Sequence, residues 1–226
     1  MNTRRFVFGV LAACLLAVSS VVGIRADAQG VGVAAKVGST GIGADLTFRL
    51  TKPLNLRIGG SFFGLDREFT QSDITFDGKA TLAVGTALLD LHPGGGNFRI
   101  SAGAVYNKSK GEGDSVGGTV VLNGVPYDVN SVGKIHGEVT GNEIGPYAGI
   151  GWGNAVREGS RLRFVMDLGV YYWGSPKVAL TATPTDPALV PPTFYADLEA
   201  ERQQIEDDVS QYKFYPVVSF GLSYRF

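Results

Sequence analysis

Tyr212-Lys213-Phe214-Tyr215-Pro216-Val217-Val218-Ser219-Phe220-Gly221-Leu222-Ser223-Tyr224-Arg225-Phe226 decides the fold class of this chain. Tyr212, Phe214, Pro216, Val218, Phe220, Leu222, Tyr224 and Phe226 form one face of an extended segment. Lys213, Tyr215, Val217, Ser219, Gly221, Ser223 and Arg225 form the other. Successive side chains of a strand point to opposite sides, so this is a strand with one apolar wall and one small or polar wall. A half-buried strand of a soluble sheet alternates too, so one segment leaves the class open.

Moving outward, the period-two pattern recurs from Val31 to Gly38, Ile42 to Leu50, Leu54 to Phe63, Phe98 to Asn107, Ile144 to Trp152 and Leu162 to Tyr172. One more strand, about Ala80 to Leu91, is needed between Phe63 and Phe98. Its facing is ambiguous because Leu88 and Leu89 are adjacent. That makes eight strands. The wet face of a soluble sandwich would be rich in Lys and Glu. Here the second face is Gly, Ser and Ala with isolated charges, which suits the crowded inside of a narrow eight-stranded barrel.

Composition agrees. The 226 residues include 32 Gly, and only 18% are charged. A mean hydropathy of +0.10 is what averaging a lipid-facing wall with a polar lumen wall produces. After the N-terminal segment no run reaches 18 apolar residues, so no transmembrane helix is expected. A net charge of -1 without a basic stripe argues against a nucleic-acid partner.

The links alternate in length. Gly38–Gly41, Thr51–Pro53, His92–Asn97 and Gly153–Ser160 are short, whereas those around 65–79, 108–142 and 175–211 are longer. Short periplasmic turns and long outer loops mark outer-membrane barrels; only the first outer link, Gly38–Gly41, departs from this. Phe48, Phe98, Trp152, Tyr224 and Phe226 fall at the expected periplasmic ends of their strands. Phe62, Tyr106, Tyr172, Tyr212 and Phe214 fall at the outer ends. Aromatic bands at both interfaces are expected of such a barrel. The pattern predicts an all-β, eight-stranded antiparallel transmembrane barrel over residues 29–226, in contact with outer-membrane lipids.

The N-terminus reads as an address. Arg4 and Arg5 precede an apolar run from Phe6 to Ile24, and Ala26-Asp27-Ala28 follows. This is a secretory signal peptide over residues 1–28, with cleavage after Ala28. The single cysteine, Cys14, lies inside it, so the mature chain has no disulfide and no multi-cysteine metal site.

The ending Phe220, Leu222, Tyr224 and Phe226 resembles the C-terminal signature of bacterial outer-membrane proteins. That resemblance implies recognition by the barrel-assembly machinery. Leu91-His92-Pro93-Gly94-Gly95-Gly96, Pro146-Tyr147-Ala148-Gly149-Ile150-Gly151-Trp152-Gly153, Gly174-Ser175-Pro176-Lys177-Val178 and Tyr215-Pro216-Val217-Val218 resemble barrels of the carbapenem-associated outer-membrane protein (CarO) type. The resemblance implies an outer-membrane location and passage of small solutes, amino acids such as ornithine among them. The alternative is a plugged structural or surface-interaction barrel.

Three constellations are candidates for function. The inward-facing charges Lys36, Asp45, Arg49, Arg57, Arg99, Arg163, Asp167, Lys213 and Arg225 line the expected lumen. Ionisable groups at membrane depth are either a solute path or a paired plug. In the last outer link, Phe194 to Gln211 reads as a helix. Tyr195, Leu198, Arg202, Ile205, Val209 and Tyr212 share one face. Asp197, Glu199, Glu201, Glu206, Asp207 and Asp208 make the other face acidic. It reads either as a lid that concentrates cations at the mouth or as a solvated helix packed on the barrel rim. His136, near Ser131, is the third candidate, for a lipid-modifying enzyme. No G-x-S-x-G elbow and no evident acidic orienter accompany it, so no catalytic residue, metal ligand or cofactor is expected.

Overall fold

The computed structural model describes residues 30–226 other than 72–73, 185 and 188–189. The expected signal peptide 1–28, its cleavage site after Ala28 and Cys14 lie outside the described residues. Thirteen strands are present among them: β1 Val31–Gly38, β2 Gly41–Arg49, β3 Leu54–Gln71, β4 Ile74–Leu91, β5 Phe98–Asn107, β6 Lys110–Gly117, β7 Thr119–Leu122, β8 Val125–Asp128, β9 Lys134–Thr140, β10 Ile144–Trp152, β11 Leu162–Tyr172, β12 Lys177–Thr183 and β13 Phe214–Arg225. Two α-helices join them, α1 Val129–Val132 and α2 Phe194–Val209.

Eight strands close an antiparallel barrel in the order β1-β2-β3-β4-β5-β10-β11-β13. Closure comes from β13, which pairs β1 through Leu222↔Ala35 and β11 through Leu222↔Phe164. These are the eight segments with period-two alternation. Each alternates because one side chain meets the packed lumen and the next the outer wall. Outside, Ile42, Ile58, Leu89, Ile100, Ile150, Phe164, Leu168 and Leu222 are all exposed. Inside, Asp45, Thr47, Asn55, Arg57, Asp90, Arg99, Ser101 and Asp167 are buried. A polar interior under an apolar surface inverts the arrangement of a water-soluble domain. No helix of the described residues is long and apolar enough to cross a membrane.

Aromatic side chains sit at both ends of the outer wall. Trp152 pairs with Phe98 at the lower end, and Tyr172 pairs with Phe214 at the upper end, their ring centroids 5.4 Å apart. The upper end carries the long links.

Among the described residues these long links carry strands and helices. The described residues of the link expected around 65–79 are strand, because β3 and β4 continue as one ladder from Leu54↔Leu91 to Gln71↔Ile74. β4 changes partner on the way. Val84–Leu91 pair with β5 of the barrel, whereas Thr75–Thr81 pair with β6. β6, β9 and β12 follow, so an upper sheet β3-β4-β6-β9-β12 grows out of the barrel wall. β7 and β8 form a separate hairpin turned at Asn123-Gly124, where both residues have positive φ, as a tight two-residue turn requires.

α2 packs on this upper assembly. Phe194 is fully buried among Leu122, Tyr127, Val132 and Ile135, and Leu198 joins them. The Tyr127 and Phe194 rings meet edge to face at 5.2 Å. The helix is therefore where the sequence places it, but its seat is the upper sheet and the β7–β8 hairpin rather than the barrel rim. Tyr195, expected on the packed stripe, is exposed, and Phe194 takes its place as the anchor.

Candidate functional site

The lumen is filled in three layers. The middle layer is ionic. The Arg57 guanidinium reaches three carboxylates: Nε donates to Asp90 Oδ2 at 2.8 Å, Nη2 to Asp90 Oδ1 at 3.1 Å and to Asp167 Oδ1 at 3.0 Å, and Nη1 to Asp45 Oδ2 at 3.3 Å. Arg99 Nη2 donates to Asp167 Oδ1 at 2.8 Å, and Lys36 Nζ to Asp45 Oδ1 at 2.6 Å. Ser101 Oγ donates to Asp90 Oδ1 at 2.6 Å. Three cations therefore face three carboxylates. Buried charges of this kind are tolerated only when paired and hydrogen-bonded.

The wall makes room for these side chains with glycine. A methyl at Gly59 would collide with the Asp45 carboxylate, and one at Gly169 with the Tyr147 hydroxyl. One at Gly151 would sit 2.7 Å from Arg99 Nε. The glycine excess in the composition is thus partly the counterpart of large polar side chains crossing a narrow lumen.

The lower layer closes the short-link end. Val156 in the Gly153–Ser160 link is fully buried, and its N–H donates to Asn154 Oδ1 at 3.2 Å. Asn55 Nδ2 donates to the same oxygen at 3.2 Å and lies 3.4 Å from His92 Nδ1. Burial pushes the His92 imidazole below its ordinary value, with Arg99 adding to the effect and Asp90 opposing it, so the ring is neutral at neutral pH.

The upper layer is apolar and aromatic. Val84, Leu88, Val105, Tyr147 and Tyr171 pack together under Trp173, Tyr215 and Val217. Tyr171 and Tyr215 stack at 5.1 Å, and Trp173 meets Tyr215 edge to face at 6.1 Å. A cavity of about 20 Å³ lies between this layer and the ionic one, bordered by Lys36, Arg57, Thr86, Tyr147 and Asp167. That volume accommodates about one water molecule.

The structure thus brings together Lys36, Asp45, Arg57, Arg99 and Asp167 of the predicted lumen set. Arg49 and Arg163 lie at the lower rim. Arg49 pairs with Glu158 at 3.2 Å, and Arg163 Nη2 donates to the carbonyl of Glu158 at 2.8 Å. Lys213 is exposed and precedes the first residue of β13, so it stands outside the lumen. Asp90 is the member that sequence reading missed.

The lid acids divide. Asp197 accepts from Tyr127 Oη at 2.5 Å and Asn123 Nδ2 at 3.0 Å, and Glu201 accepts from the Asn123 N–H at 2.8 Å. Glu199 and Glu206 both hold Arg202. Asp207 and Asp208 are exposed. Three of the six, Asp197, Glu201 and Glu206, therefore fasten the helix to neighbouring elements, Glu206 through the Val178 N–H at 3.4 Å, whereas Glu199 bonds only within the helix. Phe220, Leu222, Tyr224 and Phe226 lie exposed on the outer wall. His136 has an acidic orienter after all, as its Nδ1 lies 2.7 Å from Asp114 Oδ1.

No family model and no curated protein matches this chain. Among solved structures, CarO2 of Acinetobacter baumannii aligns over 87% of this chain and 98% of its own, at 24% identity and a TM-score of 0.57. The fold resembles that of CarO. A second Acinetobacter baumannii CarO structure aligns over the same shares at 22% identity and a TM-score of 0.56. At these identities the likeness to CarO carries the barrel architecture; the contents of the lumen are read from this chain alone. A major outer membrane protein of Thermus thermophilus aligns over the same shares at 17% identity and a TM-score of 0.44.

Proposed function

We propose that this chain is an outer-membrane β-barrel that is closed at rest and acts through its extracellular surface. The exposed apolar wall with aromatic bands at both ends supports the membrane setting. Strands of about 9–11 residues, tilted, span a bilayer, and β2, β5, β10 and β11 have 9 to 11 residues. The upper end then faces outward and displays the β3-β4-β6-β9-β12 sheet, the β7–β8 hairpin and α2. Outer-membrane lipids are the immediate partners, and the Phe220–Phe226 face is the element offered to the assembly machinery.

The observation that carries the closed reading is the ionic layer around Arg57 and the aromatic layer packed above it, with a cavity of about 20 Å³ between them. Passage of small solutes, which the resemblance implies, requires both layers to part. The ionic layer pairs three cations with three carboxylates, so it offers no net charge to select an ion. Purified protein in planar bilayers is expected to give no conductance steps at resting potentials. Discrete, long-lived steps from the unmodified protein would overturn the closed reading and favour solute passage.

A further inference from the structure

The upper sheet carries a second polar constellation that the lumen does not use. In β6, Lys110, Glu112 and Asp114 alternate with Gly111 and Gly113; in β9, His136 and Glu138 flank Gly137. The register sets Glu112 opposite Glu138 and Asp114 opposite His136. Directly opposed residues of antiparallel strands share a face, with Cβ atoms about 4.5–5.5 Å apart. Glu112 also pairs with Lys79 of β4, which has the parity of the outward Leu89 and Leu91. The constellation therefore lies on the face that continues the outer wall. α2 and the apolar side chains of Leu180 and Ile135 belong to the other face.

Two features set this group apart from an ordinary acidic surface. First, ligand atoms of Glu112, His136 and Glu138 all lie within 4.8 Å of one another. Carboxylates directly opposed across a ladder repel, and a cation between them relieves this. Lys110 does so in part, its Nζ 2.7 Å from Glu112 Oε1 and 3.7 Å from Glu138 Oε2. A half-exposed lysine on a flexible stem is readily displaced. Second, a carboxylate already holds the ring of His136. With Nδ1 held by Asp114 at 2.7 Å, Nε2 is the nitrogen left to bind. A carboxylate holding the far nitrogen is the usual support of a metal-bound histidine, because it fixes the tautomer and raises the basicity of the ligating atom.

We propose that Glu112, Glu138 and His136 form a divalent transition-metal site, with Asp114 as its positioning residue and Lys110 as the counter-ion that the metal displaces. Imidazole nitrogen and carboxylate oxygen are both zinc donors, and three protein ligands with the fourth position left to water is the arrangement of an open zinc site. The imidazole favours Zn²⁺ over Mg²⁺ and Ca²⁺, which take oxygen. The site stands whether or not the lumen conducts.

The test is calorimetric titration of the folded, detergent-solubilised protein with ZnCl2, and separately with CaCl2 and MgCl2. One Zn²⁺ per chain is expected, without saturable Ca²⁺ or Mg²⁺ binding. The double variant Glu112→Gln/Glu138→Gln and the single variant His136→Ala should each weaken Zn²⁺ binding by at least about tenfold, and Asp114→Asn by about 10–100-fold. Lys110→Ala should tighten it. With Co²⁺ in place of Zn²⁺, Asp114→Asn should also shift the visible d–d absorption, which a merely structural role would leave unmoved. Far-UV circular dichroism confirms that each variant keeps the barrel. No Zn²⁺ binding by the unmodified protein, or binding unchanged in the double variant, overturns the proposal.

Discussion

Replacing Arg57 by Met tests the ionic layer at its centre. In the native lumen Asp167 has Arg57 and Arg99 as partners, Asp45 has Arg57 and Lys36, and Asp90 has Arg57 and the Ser101 hydroxyl. The substitution leaves Asp167 with Arg99 at 2.8 Å and Asp45 with Lys36 at 2.6 Å. Asp90, 1% exposed, is left with one hydroxyl and no cation. Removing one partner from a buried pair costs about 3–5 kcal/mol, because the other charge stays desolvated. At 1.4 kcal/mol per decade this is roughly a 10²–10⁴-fold smaller folding constant. The assay is urea unfolding of the protein reconstituted in lipid vesicles, followed by tryptophan fluorescence, with the slope on urea checked for constancy. The double variant Arg57→Met/Asp90→Asn removes the orphaned charge and is expected to regain most of the loss. A single-variant cost below about 1 kcal/mol, the range of solvated ion pairs, would refute the reasoning. It would mean that water already reaches Arg57 and that the lumen is a path.

Other outcomes follow from the same geometry. Gly59→Ala drives a methyl into the Asp45 carboxylate, and overpacking of this kind costs about 1–3 kcal/mol, read as a lower urea midpoint. Phe194→Ala empties the pocket formed by Leu122, Tyr127, Val132 and Ile135, a change that costs about 3–5 kcal/mol in a core. It is expected to speed proteolysis within α2 while the barrel stays resistant. Acid should loosen the same helix. Asn123, then Tyr127, lowers the Asp197 carboxyl across the contact with the hairpin, whereas Arg202 and then Gln203, both within the helix, hold that of Glu199 down at about 2. Groups depressed on folding stabilise above their unfolded values, near pH 4, and lose that contribution as pH falls through their folded ones. The distance between spin labels on α2 and on the β7–β8 hairpin should therefore stay fixed from neutral pH to about pH 4 and widen toward pH 2.

The barrel was legible because each of its strands separates lumen from outer wall, and that boundary writes itself as a period of two. Seven facings could be read directly. The eighth could not, since Leu88 and Leu89 both look apolar. Only the ladder pairing Leu54 with Leu91 settles that Leu89 points out and that Leu88 and Asp90 point in. Asp90 was hidden for that reason, although the outward run Leu91, Leu89, Ala87 was a signal for it. The upper sheet was missed for a different reason. In Lys110–Gly117 the alternation is between charge and glycine, a contrast without hydrophobicity, so an apolar template passes over it. Asn123-Gly124 between Thr119–Leu122 and Val125–Asp128 was a readable hairpin signal. The lumen charges Lys36, Asp45, Arg57, Arg99 and Asp167 were legible as inward. That Lys213 escapes them was not, because parity continues past the point where the strand ends.

β4 belongs to two sheets at once, and this has a mechanical consequence. Its residues Val84–Leu91 are locked to β5, and Thr75–Thr81 to β6, with no loop between the two halves. A pull on the upper sheet therefore enters the barrel along the axis of a continuous strand. Backbone bonds loaded in that direction share the force in parallel, as in shear, whereas a hanging loop would peel them one at a time. Whatever grips this surface from outside grips the wall that holds Leu88 and Asp90 in the lumen. Tension there is transmitted to the ionic layer without a hinge to absorb it.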